Sequence, residues 1–341
     1  MKTLPWDWYA GVFALTLLLS WIITGQYRRY ALNRGVIDNP NERSSHTIPT
    51  PRGGGISIVL TSLLLLAAAG YWQLLDWQTS TGLILSGSLV AAIGLADDHS
   101  PLSSRWRFGV HFIASLLALS LLPTIPHLPT LWGELSLTGF ALPVLTLALC
   151  WLINLYNFMD GIDGIAAAEA CSVLLGASAI LWLTGDHQGL WLLALTAPLL
   201  GFLIWNWAPA KIFMGDGCSG FLGLLLGVLA LHFAANHEIN LWSWAILLGV
   251  FIVDASWTLL TRILTGQNWH QAHRSHCYQI LSRKLQSHAH VSIATALINL
   301  IWLTPLAWIA STHPDLGLFL TFSAYAPLAT LCWLQKAGLE H

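Results

Sequence analysis

Amides, carboxylates and glycines recur at three-residue spacings in one stretch of an otherwise apolar chain. The stretch reads Asn154-Leu155-Tyr156-Asn157-Phe158-Met159-Asp160-Gly161-Ile162-Asp163-Gly164. Asn154 and Asn157 are three apart and can share a helix face, whereas Asp160 and Asp163 drift round that face. The two glycines allow the backbone to leave ideal helix geometry. Such residues are also common in ordinary turns, but their register favours a polar pocket wall that accepts hydrogen bonds or approaches a cation.

Two further acidic elements could contribute to such a site. Asp97-Asp98 ends an apolar run, and adjacent carboxylates there repel each other unless a cation or a proton offsets the charge. A solvated helix end would explain a single Asp more readily than a pair. Asp216 lies between glycines at the mouth of another apolar run. On its own, Asp216 could equally well be a helix N-cap.

Basic side chains and glycines occupy two other polar loops. Arg52 is followed by Gly53–Gly55, and His46 lies just before it. Glycines after an Arg expose backbone N–H groups that can bind an anion, although a plain Pro/Gly loop entering a helix explains them equally well. Late in the chain, Arg274 and His276 form a pair that could bind phosphate. Isolated histidines at such places are commonly structural.

The composition predicts an all-α polytopic membrane protein. The 341 residues are 55% hydrophobic and only 9% charged, whereas soluble domains carry about 25% charged residues. A span needs roughly 20 apolar residues, and ten or eleven spans are expected. The candidate spans are 8–25, 54–73, 82–96, 107–123, 139–156, 165–184, 189–206, 218–235, 241–263, 291–311 and 316–334. The five cysteines show no paired spacing, so neither a disulfide nor a cysteine zinc site is indicated.

The basic residues predict the topology. If the N-terminus is outside, every Lys and Arg except Lys2 lies on or beside an inside loop. The first apolar run is then a retained span rather than a signal peptide, and the segment around Glu134 is a small external hairpin. We expect a single transmembrane domain over 1–338, and 339–341 resembles a tag remnant. All the chemistry-bearing clusters fall on the inside.

Their shared location predicts a common site. Acidic groups from three loops can converge on a divalent cation, while Arg and His side chains surround anionic groups. Hard oxygen ligands without a thiolate cluster favour Mg²⁺ or Mn²⁺ over zinc. A cation between carboxylates and phosphates is the usual arrangement for phosphoryl transfer.

These motifs, in this order, resemble the polyprenyl-phosphate N-acetylhexosamine-1-phosphate transferases. This family, glycosyltransferase family 4, is related to the muramyl-pentapeptide translocase. The motifs that carry the resemblance are Asp97-Asp98, Asn154-x-x-Asn157-x-x-Asp160-Gly161-x-Asp163-Gly164 and Phe213-Met214-Gly215-Asp216. The resemblance implies essential carboxylates at Asp97 and Asp98 and a metal ligand at Asp216. It also implies nucleotide contacts around Asn157 to Asp163 and a cytoplasmic active site in a bacterial inner membrane protein.

The chain departs from the family pattern in two loops. Relatives carry several histidines in the last cytoplasmic loop, but here only Arg274 and His276 match, which leaves His276 as the candidate. The translocase branch has a Lys where this chain has His46 or Arg52. The run from Asp38 to Gly55 looks most like the O-antigen-initiating branch.

The family implies a reaction between UDP-N-acetylhexosamine and polyprenyl phosphate, giving polyprenyl-diphospho-HexNAc and UMP. An Asp at 97 or 98 either removes a proton from the lipid phosphate or attacks as a nucleophile; we favour direct attack by the lipid phosphate. We expect the chain to bind this nucleotide sugar and this lipid and to lie in the membrane. We also expect that it can form a homodimer and that it does not bind nucleic acid. The alternatives are a cation-coupled transporter, for which Asp254 is the candidate carboxylate well within a span, and a non-catalytic lipid-binding scaffold.

Overall fold

The structure is a computed structural model that describes residues 4–40, 45, 48–135, 141–186, 188–268 and 273–339. His46 lies outside the described residues. Helices account for most of the described residues. They are α1 Trp6–Arg34, α2 Ile56–Tyr71, α3 Trp77–His99, α4 Ser104–Ser120, α5 Ala141–Met159, α6 Ile165–Leu183, α7 Gly189–Ala194, α8 Thr196–Asn206, α9 Asp216–Ala235, α10 Leu241–Leu247, α11 Gly249–Leu264, α12 Cys277–Leu285, α13 His288–Leu297, α14 Thr304–Thr312 and α15 Gly317–Leu334. A π-helical turn, Ile298–Leu303, joins α13 to α14, and a 3-10 turn, Pro314–Leu316, precedes α15.

The predicted all-α polytopic architecture is confirmed, and each of the eleven predicted spans is helical. Within the described residues, eight helical segments are long and apolar enough to cross a membrane, and the pair α10 and α11, bent by 76°, would make a ninth. The prediction of ten or eleven spans therefore also counted two shorter helices, α2 and α4. α2 has 16 residues and α4 has 17, which at about 1.5 Å per residue falls short of a hydrocarbon core about 30 Å thick.

α9 lies at the centre of the bundle. In the most apolar 18-residue stretch of α9, 94% is buried inside the protein, compared with 22% in the corresponding stretch of α1. Small residues let its neighbours approach closely. A Cβ on Gly94 of α3 would lie only 2.5 Å from the backbone of Gly217, so this pair needs two glycines. The close approach brings the end of α3, with its two carboxylates, against the beginning of α9.

Two short antiparallel hairpins complete the fold. β1 (Ile37–Asp38) pairs with β2 (Thr50–Pro51), which places Asp38 beside the segment that enters α2. β3 (Leu128–Thr130) pairs with β4 (Gly133–Leu135). The hairpin expected around Glu134 is therefore present, with its first strand earlier in the chain than the alternating pattern indicated.

Candidate active site

The predicted polar clusters meet in one cavity at one end of the helices. The cavity has a volume of about 360 Å³. It lies where α3 and α5 end and where α6 and α9 begin. Its walls are formed by Asp38, Ser45, Arg52, Asp98, Asp160, Gly161, Ile162, Asp163, Asn206, Phe213, Met214, Gly215, Asp216, His273, Gln279 and His288. The convergence of acidic groups from separate loops, expected from their shared location in the sequence, is thus present in the structure.

The adjacent carboxylates Asp97 and Asp98 have different partners. Asp97 accepts hydrogen bonds from the Arg107 guanidinium at 2.7 Å and from the Leu102 N–H at 2.6 Å. Asp98 lines the cavity and its side chain is only 2% exposed. Its Oδ1 accepts from the Asp216 N–H at 3.2 Å, and its Oδ2 is buried without a hydrogen-bond partner among the described residues. Neighbours on a helix point about 100° apart, so only Asp98 faces the cavity.

Arg52 positions this carboxylate from the other side. Its Nε donates to the backbone oxygen of Asp98 at 2.9 Å and lies 3.9 Å from Asp98 Oδ1. The guanidinium thus occupies the C-terminal end of α3, where carbonyl groups lack helical partners and a positive charge is favourable. Part of the Arg52 side chain remains exposed to the cavity.

The glycine loop after Arg52 is a packing element rather than an open anion cradle. The Gly54 N–H donates to the Phe213 carbonyl and the Gly55 N–H to the Met214 carbonyl, each at 2.9 Å. Cβ atoms at these two positions would collide with Ile212 and with Cys218, respectively. The bare backbone therefore lets the first loop join the segment that leads into α9.

Asp216 is the first residue of α9, after the cap residue Gly215. Its Oδ2 accepts from the Arg107 guanidinium at 2.9 Å and from the Asn157 amide at 3.2 Å. The interpretation of Asp216 as a helix N-cap is therefore wrong. The φ of +86° at Gly215 is a left-handed conformation that a residue with a side chain would adopt only under strain.

The carboxylates of the Asp160-Gly161-Ile162-Asp163 turn differ in their partners. Asp160 lines the cavity. Burial, followed by the nearby charges of Asp216, Asp98 and Asp163, raises its pKa well above the ordinary range. Asp163 Oδ2 accepts from the Ala210 N–H at 3.0 Å, and its Oδ1 lies 3.3 Å from His288 Nδ1. The negative charge of Asp160 is thus less compensated by its neighbours than that of Asp163.

The structure places four predicted binding residues outside the cavity wall, and Asn157, which donates to Asp216, is one of them. The amide of Asn154 donates back to the Cys150 carbonyl of its own helix at 2.7 Å. Arg274 is exposed. His276 is buried, caps α12, and lies 3.3 Å from Asp254. His276 therefore faces the interior and Arg274 lies outside the cavity wall, and phosphate binding by this pair stays a prediction.

Asp254 anchors α12 from within the bundle. Its Oδ1 accepts from the Cys277 N–H and its Oδ2 from the Tyr278 N–H, both at 2.9 Å. A carboxylate at the N-terminus of a helix satisfies unpaired N–H groups and complements the helix dipole. Asp254 is thus explained by structure, which removes the main candidate for an intramembrane transport residue.

The cavity also contains residues that sequence reasoning did not select. They are Asp38, Asn206, His273, Gln279 and His288. His288 Nε2 lies 3.1 Å from the Ser45 carbonyl and Asn206 accepts from the Gly164 N–H at 3.1 Å. Burial, then the charges of His276 and Arg262, lowers the pKa of His273 to about 3, so this ring is neutral at pH 7. The signal for four of them in the sequence was their presence in inside loops, and Asn206 is the last residue of the predicted span 189–206.

The donor set is compatible with Mg²⁺ provided that the substrate also binds the ion. Among the described residues, no group of three or more His, Cys, Asp and Glu side chains is close enough to hold a metal by itself. Mg²⁺ is usually held by one or two carboxylates together with waters and substrate phosphates. The unpartnered Oδ2 of Asp98 and the excess negative charge around Asp160 fit such a cation.

Comparisons with known proteins identify the family. The chain is 30% identical over 317 residues to the probable undecaprenyl-phosphate N-acetylglucosaminyl 1-phosphate transferase of Bacillus subtilis, an alignment that covers 91% of this chain and 87% of that protein. The chain belongs to glycosyl transferase family 4. Residues 80–234 match the profile of this family, and they contain both Asp97-Asp98 and Asp216.

Two further relatives align with a smaller part of this chain. The decaprenyl-phosphate N-acetylglucosaminephosphotransferase of Mycolicibacterium smegmatis is 33% identical over 228 residues, which are 62% of this chain and 56% of that protein. The chain thus spans little more than half the length of the mycobacterial relative. The phospho-N-acetylmuramoyl-pentapeptide-transferase of Lactiplantibacillus plantarum is 30% identical over 236 residues, covering 64% of this chain and 71% of the relative.

Proposed function

We propose that this family member transfers N-acetylhexosamine 1-phosphate from a UDP-N-acetylhexosamine to polyprenyl phosphate. The products are polyprenyl-diphospho-N-acetylhexosamine and UMP. The observation that carries the proposal is the single cavity in which Asp98, Asp160 and Asp216 meet Arg52 at one end of a set of apolar helices. A site at a membrane surface suits one substrate that is water-soluble and another that is anchored in lipid.

In the proposed reaction, an oxygen of the lipid phosphate attacks the β-phosphorus of the nucleotide sugar. A P–O bond forms there while the bond from the β-phosphorus to the bridging oxygen breaks, and the electron pair leaves with UMP. Asp98 accepts the proton of a monoprotonated lipid phosphate, because its Oδ2 is unpaired and its side chain lines the cavity. Arg52 and Arg107 offset the charge of the phosphates.

Asp216 would hold Mg²⁺ in this proposal, and Asn157, whose amide donates to Asp216 Oδ2 at 3.2 Å, would position that carboxylate. The bound ion would neutralise pyrophosphate charge and so favour departure of UMP. Mn²⁺ has similar ligand preferences. Arg107 bridges Asp97 and Asp216 and keeps these two carboxylates in place.

Recognition of the two halves of the nucleotide sugar is assigned to opposite walls of the cavity. Uridine is assigned to the segment from Asn157 to Asp163, as the resemblance implies, and Asp160 to Asp163 of this segment line the cavity. The hexosamine is assigned to the first and last inside loops, represented in the cavity by Asp38, His273 and Gln279. His276 is left out of this assignment because it is buried beside Asp254. We further propose an inner-membrane location with the N-terminus outside, and a role at the start of O-antigen or related polysaccharide synthesis.

The proposal is tested by UMP release from purified full-length protein supplied with Mg²⁺, undecaprenyl phosphate and a panel of UDP-N-acetylhexosamines. UMP should appear only when both substrates are present. The Glu134→Gln variant, altered on the external hairpin, serves as the control and should match the unmodified protein. If no UDP-sugar yields UMP, the proposed reaction is wrong. If the loop 267–282 is exchanged with that of a relative and activity persists with unchanged sugar preference, the sugar assignment is wrong.

A further inference from the structure

A second polar cluster lies in the interior of the helix bundle, away from the cavity wall. It consists of Glu169 and Ser172 on α6, Asn299 in the π-helical turn, and Tyr156 on α5. Glu169, Asn299 and Tyr156 are 0% exposed and Ser172 is 2% exposed. The Asn299 amide donates to Glu169 Oε2 at 2.5 Å and to Ser172 Oγ at 2.8 Å. The buried Tyr156 side chain also interacts electrostatically with Glu169.

The cluster contains more oxygen acceptors than its donors satisfy. Glu169 Oε1, Asn299 Oδ1 and the Tyr156 hydroxyl are all buried without hydrogen-bond partners among the described residues. When Glu169 is ionised, its carboxylate oxygen and the amide oxygen only accept, and the phenol supplies a single proton. At least one oxygen therefore lacks a donor, and unsatisfied buried polar atoms commonly mark an ion or a water.

The charge of the cluster is also uncompensated. In the described part of the chain, no Lys, Arg or His side chain forms an ion pair with Glu169. An unpaired carboxylate inside a membrane protein is costly and is generally associated with function. A water molecule would satisfy the oxygens but leave the charge, a proton on Glu169 would remove the charge, and a cation would both offset the charge and bind the oxygens.

The π-helical turn Ile298–Leu303 presents Asn299 to this cluster. Single π-helical turns inserted in α-helices are rare and often occur at functional sites. Here the altered backbone is supported locally, because Thr304 Oγ donates to the Asn299 carbonyl at 2.8 Å. The irregular backbone is thus stabilised in the conformation that directs the Asn299 amide towards α6.

We propose that Glu169, Asn299 and Tyr156 bind a monovalent alkali cation, with Na⁺ as the ion tested first. One carboxylate with neutral oxygens balances a single positive charge, and no imidazole or thiolate belongs to the cluster. The cation would tie α6 to the π-helical turn that follows α13, and α13 itself contacts the turn that precedes α6, where Ser292 Oγ donates to the Asp163 carbonyl at 2.9 Å. Its occupancy would stabilise the helix pair behind the cavity.

The test measures thermal unfolding of the purified full-length protein in sodium, potassium or choline chloride at constant ionic strength. The melting temperature should rise with Na⁺ to a plateau, and choline should not reproduce the rise. Glu169→Gln should abolish the response, because it keeps the shape but removes the charge. Glu134→Gln, an exposed charge change, should keep it. Binding of radioactive sodium should saturate at one ion per chain.

Tyr156→Phe provides a second test if Glu169→Gln does not fold. It removes a hydroxyl that has no hydrogen-bond partner among the described residues, so the fold should persist while more Na⁺ is needed to reach the plateau. A response limited to K⁺ would keep the site and change the preferred ion. The proposal is overturned by a melting temperature that follows pH but neither cation, or by an unchanged sodium response in Glu169→Gln.

Discussion

Replacing each member of the Asp97-Asp98 pair by Asn should reduce turnover by unequal amounts. Asp98→Asn removes the proposed base from the cavity wall, and loss of a general base typically lowers the rate by about 10²–10⁴-fold. The variant should still fold, because the Asn oxygen can accept the hydrogen bond that the Asp216 N–H now makes at 3.2 Å. The loss should therefore appear in kcat and not in the melting temperature.

Asp97→Asn should be the milder change. It weakens a charge-assisted hydrogen bond to Arg107 that is 2.7 Å long between side chains 14% and 30% exposed. Hydrogen bonds of this kind contribute about 1.5–3 kcal/mol when buried, and solvent reduces the value at partly exposed sites. Since about 1.4 kcal/mol corresponds to tenfold, a loss of roughly tenfold is expected, and Asp98→Asn should be at least about tenfold worse.

The assay is UMP release across the pH range from mildly acidic to alkaline. Slow turnover by Asp98→Asn should recover as pH rises, because bulk water then deprotonates the lipid phosphate, whose second pKa is near 6. Equal losses in the two variants, or no recovery at alkaline pH, would contradict the assignment of Asp98 as a base. Intact mass of the enzyme after incubation with UDP-sugar and Mg²⁺ is the complementary test. A covalent phospho-sugar adduct that added polyprenyl phosphate discharges would refute direct attack.

Three further predictions concern the metal, the charge of the cavity and the last inside loop. Asp216→Asn should abolish turnover with an unchanged melting temperature, since an amide is a poor Mg²⁺ ligand; near-normal activity at saturating Mg²⁺ would remove Asp216 from the site. Asp160 has a folded-state pKa raised above its unfolded value, so the stability that it contributes is present at low pH and declines as pH rises. In thermal melts without divalent cations, Asp160→Asn should therefore gain stability relative to the unmodified protein towards alkaline pH, and parallel curves would contradict this. Asp254→Asn should weaken the anchoring of α12 and increase hydrogen exchange over 277–285, whereas unchanged exchange would show that the two N–H contacts at 2.9 Å are not what holds that helix.

The sequence by itself determined the helical membrane architecture and the convergence of Asp98, Asp160, Asp163 and Asp216. Both results follow from simple physical constraints. Backbone groups in a bilayer must be satisfied within helices, and apolar runs of known length place successive loops on alternating sides. Residues on one side then have few places to meet, so motifs far apart in the chain could be assigned to a common site.

Only the tertiary structure decided which side chains of that region face the cavity. The sequence did not distinguish Asp97 from Asp98, because the rotation of α3 and the position of Arg107 on the next helix select between them. It also did not show that Gly54 donates its N–H to the neighbouring Phe213 carbonyl, or that His276 turns inward to Asp254. These outcomes depend on contacts between residues distant in the chain, where packing and hydrogen-bond satisfaction override the chemistry that each residue suggests alone.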